Sequence, residues 1–132
     1  MWRKELMAEK KIEQLQIEVN TWKRFLDFFR EENVNLKNRL SNILKNRFDK
    51  KLLDEMENFQ SKFIKHDELI IFLRKDVAEL DKLLMNEKRG EEINGDIIDK
   101  KFSNFRINLA NSERQFHQLQ LDFNCYLSEN MQ

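Results

Sequence analysis

The chain has 132 residues, with 24 basic and 24 acidic side chains, no proline and two glycines, Gly90 and Gly95. A hydrophobic content of 40% is too high for a disordered chain, and a net charge of zero argues against wholesale electrostatic binding to nucleic acid or an acidic membrane. The single cysteine, Cys125, excludes an intramolecular disulfide, and the longest apolar run, Leu69 to Leu73, falls far short of the ~20 residues a membrane span needs.

With no signal-peptide core behind Met1 and only one thiol, we expect a cytoplasmic protein. The absence of proline and the scarcity of glycine permit long uninterrupted helices.

The first periodic stretch places Ile12, Leu15, Val19, Trp22, Leu26, Phe29, Leu36, Leu40 and Ile43 at alternating steps of three and four. Such steps average about 3.5 residues and define the seam of a left-handed coiled coil. With Ile12 at heptad position a, the polar Asn33 also falls at a. A helix is expected over about residues 5–46, with Trp2 and Leu6 off its frame, free to meet a neighbouring chain or to fray. Phe25, at a g position, is expected to widen the core.

The second stretch repeats the pattern with Met56, Phe59, Phe63, His66, Ile70, Leu73, Val77, Leu80 and Leu84. Its frame differs from the first by two residues, so the two cannot join as one unbroken heptad run. One reading turns the chain near residues 46–49, with Asp49 capping a helix over about 50–89. The alternative is one very long helix over 5–89, carried through by Leu40, Leu44, Phe48, Leu52 and Met56, with the third helix folded back on it. Leu69, like Phe25, is assigned to a widened core.

The third stretch, Ile98, Phe102, Phe105, Leu109, Ser112, Phe116, Leu119, Phe123 and Tyr126, predicts a helix over about 96–130. Before it, Lys88 and Arg89 suit a helix C-terminus, Gly90 a left-handed cap and Asn94-Gly95 a turn, with Asp96 placed to cap the new helix and Asp99 in its first turn.

Eleven phenylalanines and two tryptophans are bulky for the narrow seam of a two-stranded coil. We therefore expect an all-α protein, a single domain folded as an antiparallel three-helix coiled-coil bundle. Hairpin geometry puts Leu73 level with both Trp22 and Ser112, a large residue facing a small one. The competing two-stranded rod draws on Asn33 as a register-fixing residue, with Glu18–Lys23 and Glu32–Lys37 as pairs between chains.

No constellation points to catalysis, a cofactor or a metal. His66 and Ser112 sit on seams, where a polar residue usually serves a neighbour. His117, at an outer position four residues after Glu113, lacks the second histidine motif of a di-iron bundle. Cys125 has no basic neighbours to lower its pKa, and the stretch from Gly90 to Gly95 lacks a phosphate-loop lysine.

The residues that stand out are apolar side chains at outward heptad positions: Phe28, Ile64, Ile71, Phe72 and Leu121. They point to a non-enzymatic interaction or scaffold module that contacts a protein partner or a second copy of itself as a homo-oligomer. The alternative is a small factor bound to nucleic acid or a membrane surface through the basic cluster Lys37, Arg39, Lys45, Arg47, Lys50 and Lys51.

Overall fold

A computed structural model describes the backbone of residues 2–46, 49–88, 90 and 95–130, and side chains within these ranges from Glu9 onward. The chain forms three long helices: α1 over Trp2–Asn46, α2 over Lys50–Lys88 and α3 over Gly95–Asn130. They pack side by side as an up-down-up three-helix bundle, with no strand among the described residues. At 1.5 Å per residue, α1 is about 65 Å long. The side chains of Trp2 and Leu6, and the whole of Arg47, Phe48, Arg89 and Asn94, lie outside the described residues.

The single helix over 5–89 is not formed. Helix α1 ends at Asn46, and Asp49 is not helical. Asp49 instead caps α2: its Oδ1 accepts a hydrogen bond from the Lys51 amide at 3.2 Å, and its carbonyl accepts the first intrahelical bond from the Leu53 amide at 3.0 Å. Such a cap stabilises a helix by about 1 kcal/mol. Without a turn here, the two-residue frame shift would rotate one apolar seam out of the core.

At the far end Gly90 takes φ 78°, the left-handed conformation that closes a helix, and its amide bonds the Glu87 carbonyl. Because Gly95 is already helical, Asp96 lies inside the first turn of α3 rather than at its cap. There its carboxylate still favours the positive end of the helix dipole.

Every predicted seam residue of α2 is buried, and so are those of α3 from Ile98 to Phe123. At the end of α3 the seam slips by one position. Leu127 is buried, whereas Tyr126 is half-buried with its ring against Phe59. A helix of 3.6 residues per turn drifts against a strict heptad, and the drift is not corrected in the last turn.

The backbones of α1 and α2 approach most closely and those of α1 and α3 least. Aromatic rings fill the wider seam. The Trp22 ring lies 4.6 Å from Phe105 and 5.6 Å from Phe102, and Phe29 lies 6.0 Å from Phe116.

The expected layer holds to within about one turn. Hydrogen-bonded residues of α1 and α3 are 85 to 88 apart in sequence, which sets Ser112 level with the Arg24–Asp27 turn. Trp22 sits about one turn away and packs on two phenylalanines instead of facing a serine. The bundle accommodates the bulk by spreading α1 from α3, not by alternating large and small residues.

Candidate interaction surface

The outer surface is built on rows of residues that recur every seven positions. On α1 the row Lys11, Glu18, Phe25, Glu32, Arg39 faces α3. Lys11 pairs with Asp99, Glu18 is gripped by both Nε and Nη2 of Arg106 at 2.8 Å, Glu32 accepts from Gln120, and Arg39 donates to Asn124. A second row, Gln16, Lys23 and Lys37, faces α2. Lys23 pairs with Asp81 at 2.8 Å, Gln16 donates to the same carboxylate, and Lys37 pairs with Asp67. The Lys23 hydrogen bond holds the Asp81 carboxyl below the usual carboxylate range.

Glu18, Lys23, Glu32 and Lys37 are therefore engaged within the chain, leaving no basis for the pairs between chains that the two-stranded rod required. These contacts are largely exposed, and each contributes less than about 1 kcal/mol. They specify which helices are neighbours more than they stabilise the fold.

The α1 row also corrects one expectation. Phe25 does not widen the core: it is 46% exposed, because its row is the surface rung that bridges to α3. Its ring stacks on Phe29 at 6.3 Å, and Phe28 lies 6.1 Å from the same ring. Leu69 does pack against the core, half-buried.

Phe28, Ile64, Ile71, Phe72 and Leu121 are all 45–58% exposed. They lie at similar heights but on different sides of the bundle. Phe28 joins Phe25 at the edge of α1 toward α3. Ile71 lines a groove between α1 and α2 together with Val34, and Ile64 is one heptad before Ile71 on the same face of α2. Phe72 is on the flank of α2 toward α3, and Leu121 is on the outer face of α3. Ile17, Phe25, Val34, Met85, Ile97 and Ile107 are further exposed apolar residues that the sequence reading did not single out as such. Val34 could have been found from its b position, which should face water, directly after the seam residue Asn33.

Of the six basic residues, Lys45, Lys50 and Lys51 flank the junction of α1 and α2, and two others turn to neighbouring helices. Lys37 turns to α2 and Arg39 turns to α3, where its guanidinium lies over the Phe123 ring. Lys45 is in the last turn of α1, and Lys50 and Lys51 are in the first turn of α2. Arg47 lies outside the described residues.

The three polar seam residues are buried. Asn33 donates from Nδ2 to the Phe63 carbonyl at 3.0 Å and to the Asp67 carboxylate, which also binds Lys37. Asn33 thus ties α1 to α2 within one chain. His66 stacks flat on Phe116, with ring centroids 4.1 Å apart. Among the described residues its Nε2 has no hydrogen-bond partner. Ser112 fills a seam position of α3.

Burial lowers the pKa of His66 to about 4, with the Asp67 carboxylate opposing in part. The unfolded chain, with a pKa near 6.5, therefore takes up the proton first as pH falls. The stability tied to neutral His66 is full above pH ~6.5 and is lost progressively down to pH ~4. Allowing for residual water contact, the loss is roughly 2 kcal/mol. His66→Leu is expected to abolish it, so urea titrations should show the wild-type-minus-variant difference changing by this amount between pH ~7 and ~4.5. A difference independent of pH would mean that the imidazole is solvated.

Among the described residues no three metal-ligating side chains converge, and no helix is long and apolar enough to cross a membrane. His117 and Cys125 are exposed. Comparison with protein-family models, with curated proteins and with solved structures found no match for this chain. What the fold defines is its class, a three-helix coiled-coil bundle.

Proposed function

We propose that this chain is a non-enzymatic interaction module, a helical scaffold that associates with a protein partner or with a second copy of itself through coiled-coil packing. One observation carries the reading. The core is filled along all three helices, yet Phe25, Phe28, Val34, Ile64, Ile71, Phe72 and Leu121 remain at the surface around its middle. Where they adjoin, as Phe25 and Phe28 do beside Phe29 and Val34 does with Ile71, apolar side chains on a small folded domain mark surfaces that another protein covers. The single exposed thiol of Cys125 suits a reducing, cytoplasmic setting.

The test is association of the full chain with and without these side chains. Sedimentation velocity of wild type should show a dimer or larger species at micromolar concentration, or a monomer that captures helical peptides. The variant Phe28→Ser/Ile71→Ser/Phe72→Ser should remain helical by circular dichroism and lose that association, since exposed positions contribute within about 0.5 kcal/mol each to folding. A wild-type monomer that binds no helical peptide would overturn the reading. So would a triple variant that associates unchanged.

A further inference from the structure

On α2 the outward b positions are Ile64, Ile71, Ala78 and Met85, spaced seven residues apart, and all four are exposed. One apolar residue per heptad on the solvent side is half of a seam, set beside the one buried in the core. Ile71 and Ala78 line the α1–α2 groove, and Val34 faces them from α1.

The charges of this groove follow the same repeat. Between the rungs Lys37–Asp67 and Lys23–Asp81, the same register brings Arg30 opposite Arg74. The middle rung is thus a like-charge pair, and both arginines line the groove. Arg74 turns aside to Asp27 at 3.2 Å. Among the described residues neither Arg30 nor the adjoining Lys75 makes an ion pair. Asp27 thus bridges the centre of the ladder to Arg74, which leaves the cations of Arg30 and Lys75 without an acidic partner among the described residues, beside exposed aliphatic side chains.

We propose that the α1–α2 groove docks an acidic amphipathic helix of a partner protein. The partner's apolar residues pack along Val34, Ile64, Ile71, Ala78 and Met85, and a partner carboxylate sits between Arg30 and Arg74. The heptad spacing fits a helix rather than an extended peptide, whose side chains alternate with a period of two. The surplus of guanidinium and ammonium groups selects acidic flanks. The assignment rests on the interaction-module reading above and deepens it.

The experiment uses the full chain and two labelled synthetic peptides of three heptads, apolar at a and d. One carries glutamate at e and g, the other lysine. Fluorescence anisotropy should show the glutamate peptide binding about tenfold or more tightly than the lysine peptide, with the margin shrinking in added salt. Arg30→Glu should reverse that preference. The same substitution completes the Arg74 rung, so it should leave thermal stability unchanged or raised, a combination that general damage to the fold cannot produce. Ile71→Asp should abolish binding of both peptides while the helical signal is kept.

Equal affinity for the two peptides, or an Arg30→Glu chain that binds the glutamate peptide unchanged, would overturn the proposal. If Phe28→Ser or Phe72→Ser abolishes peptide binding and Ile71→Asp does not, the groove assignment falls while the interaction reading stands. If neither peptide binds and Ile71→Asp dissociates a dimer of the chain, the groove belongs to a second copy. Binding of a single-stranded oligonucleotide that is lost with Arg30→Glu and kept with Ile71→Asp would assign the arginines to phosphate and also overturn the proposal.

Discussion

Truncation of Trp22 to alanine is expected to remove about 3–5 kcal/mol of folding stability, the range for deleting a large buried aromatic side chain. Trp22 is 7% exposed and sits on the seam between α1 and α3, the helix pair whose backbones approach least. Its indole bridges that gap to Phe102 and Phe105, and Arg106 lies over the ring at 6.0 Å. One heptad further along, the same seam is held open by the Phe29–Phe116 pair, which limits how far the helices can close over the space. A domain of this size has about 5–15 kcal/mol in total, so the loss is a third or more of that for all but the most stable domains. Urea titration followed by circular dichroism would show the fall in midpoint. Trp22→Phe should lose roughly 1–2 kcal/mol, since a ring still spans part of the gap. A loss under about 1 kcal/mol for Trp22→Ala would mean that the α1–α3 seam closes without the indole.

Asn33→Asp is expected to be nearly as damaging, and its cost should depend on pH. The Asn33 amide is fully buried and its Nδ2 serves two acceptors, the Phe63 carbonyl and the Asp67 carboxylate. A carboxylate in its place faces the same acceptors and offers no donor. Lys37 is already committed to Asp67. An uncompensated buried charge of this kind costs about 3–5 kcal/mol. Burial and the neighbouring carboxylate both raise the pKa of the introduced carboxyl above its unfolded value near 3.9. The deficit relative to wild type is therefore small below pH ~4, where the carboxyl is protonated in both states, and grows as pH rises through the raised folded pKa. Comparing urea midpoints of the two chains at pH ~4 and ~7 reads this directly. A deficit of the same size at both values would show that the site admits water.

The Asn33 network also bears on how the fold is chosen. A lone asparagine in a heptad seam is compatible with a parallel dimer, where it meets its own copy. Here its partners, Phe63 and Asp67, are on the next helix of the same chain. The charged rows act in the same direction. Glu18 and Lys23, which could have paired across a dimer, are drawn to Arg106 and Asp81 instead.

How much of this was legible in the chain depends on the distance over which each feature is decided. The helices and nearly all their buried faces follow from apolar spacing, a property of residues three and four apart. The cap at Asp49 and the left-handed Gly90 follow from local backbone chemistry. The exposure of Phe28, Ile64, Ile71, Phe72 and Leu121 was visible from heptad position alone. Phe25 was misassigned because a g position is buried or exposed according to how closely the facing helix approaches, and no local pattern records that. Trp22 and Ser112 lie about a turn from a common level, because hairpin geometry alone does not record the axial stagger of α1 against α3.

The sequence by itself determined that three amphipathic stretches are helical and which stripe of each is apolar, because these depend on backbone geometry and nearest-turn neighbours. Only the tertiary structure decided that the first two stretches are separate helices, that α1 lies closer to α2 than to α3, that Phe25 is a surface rung, and that Arg30 and Arg74 line one groove with Val34 and Ile71. Those outcomes depend on which helix faces which and at what stagger. They are set by packing volume and paired charges summed over the whole bundle.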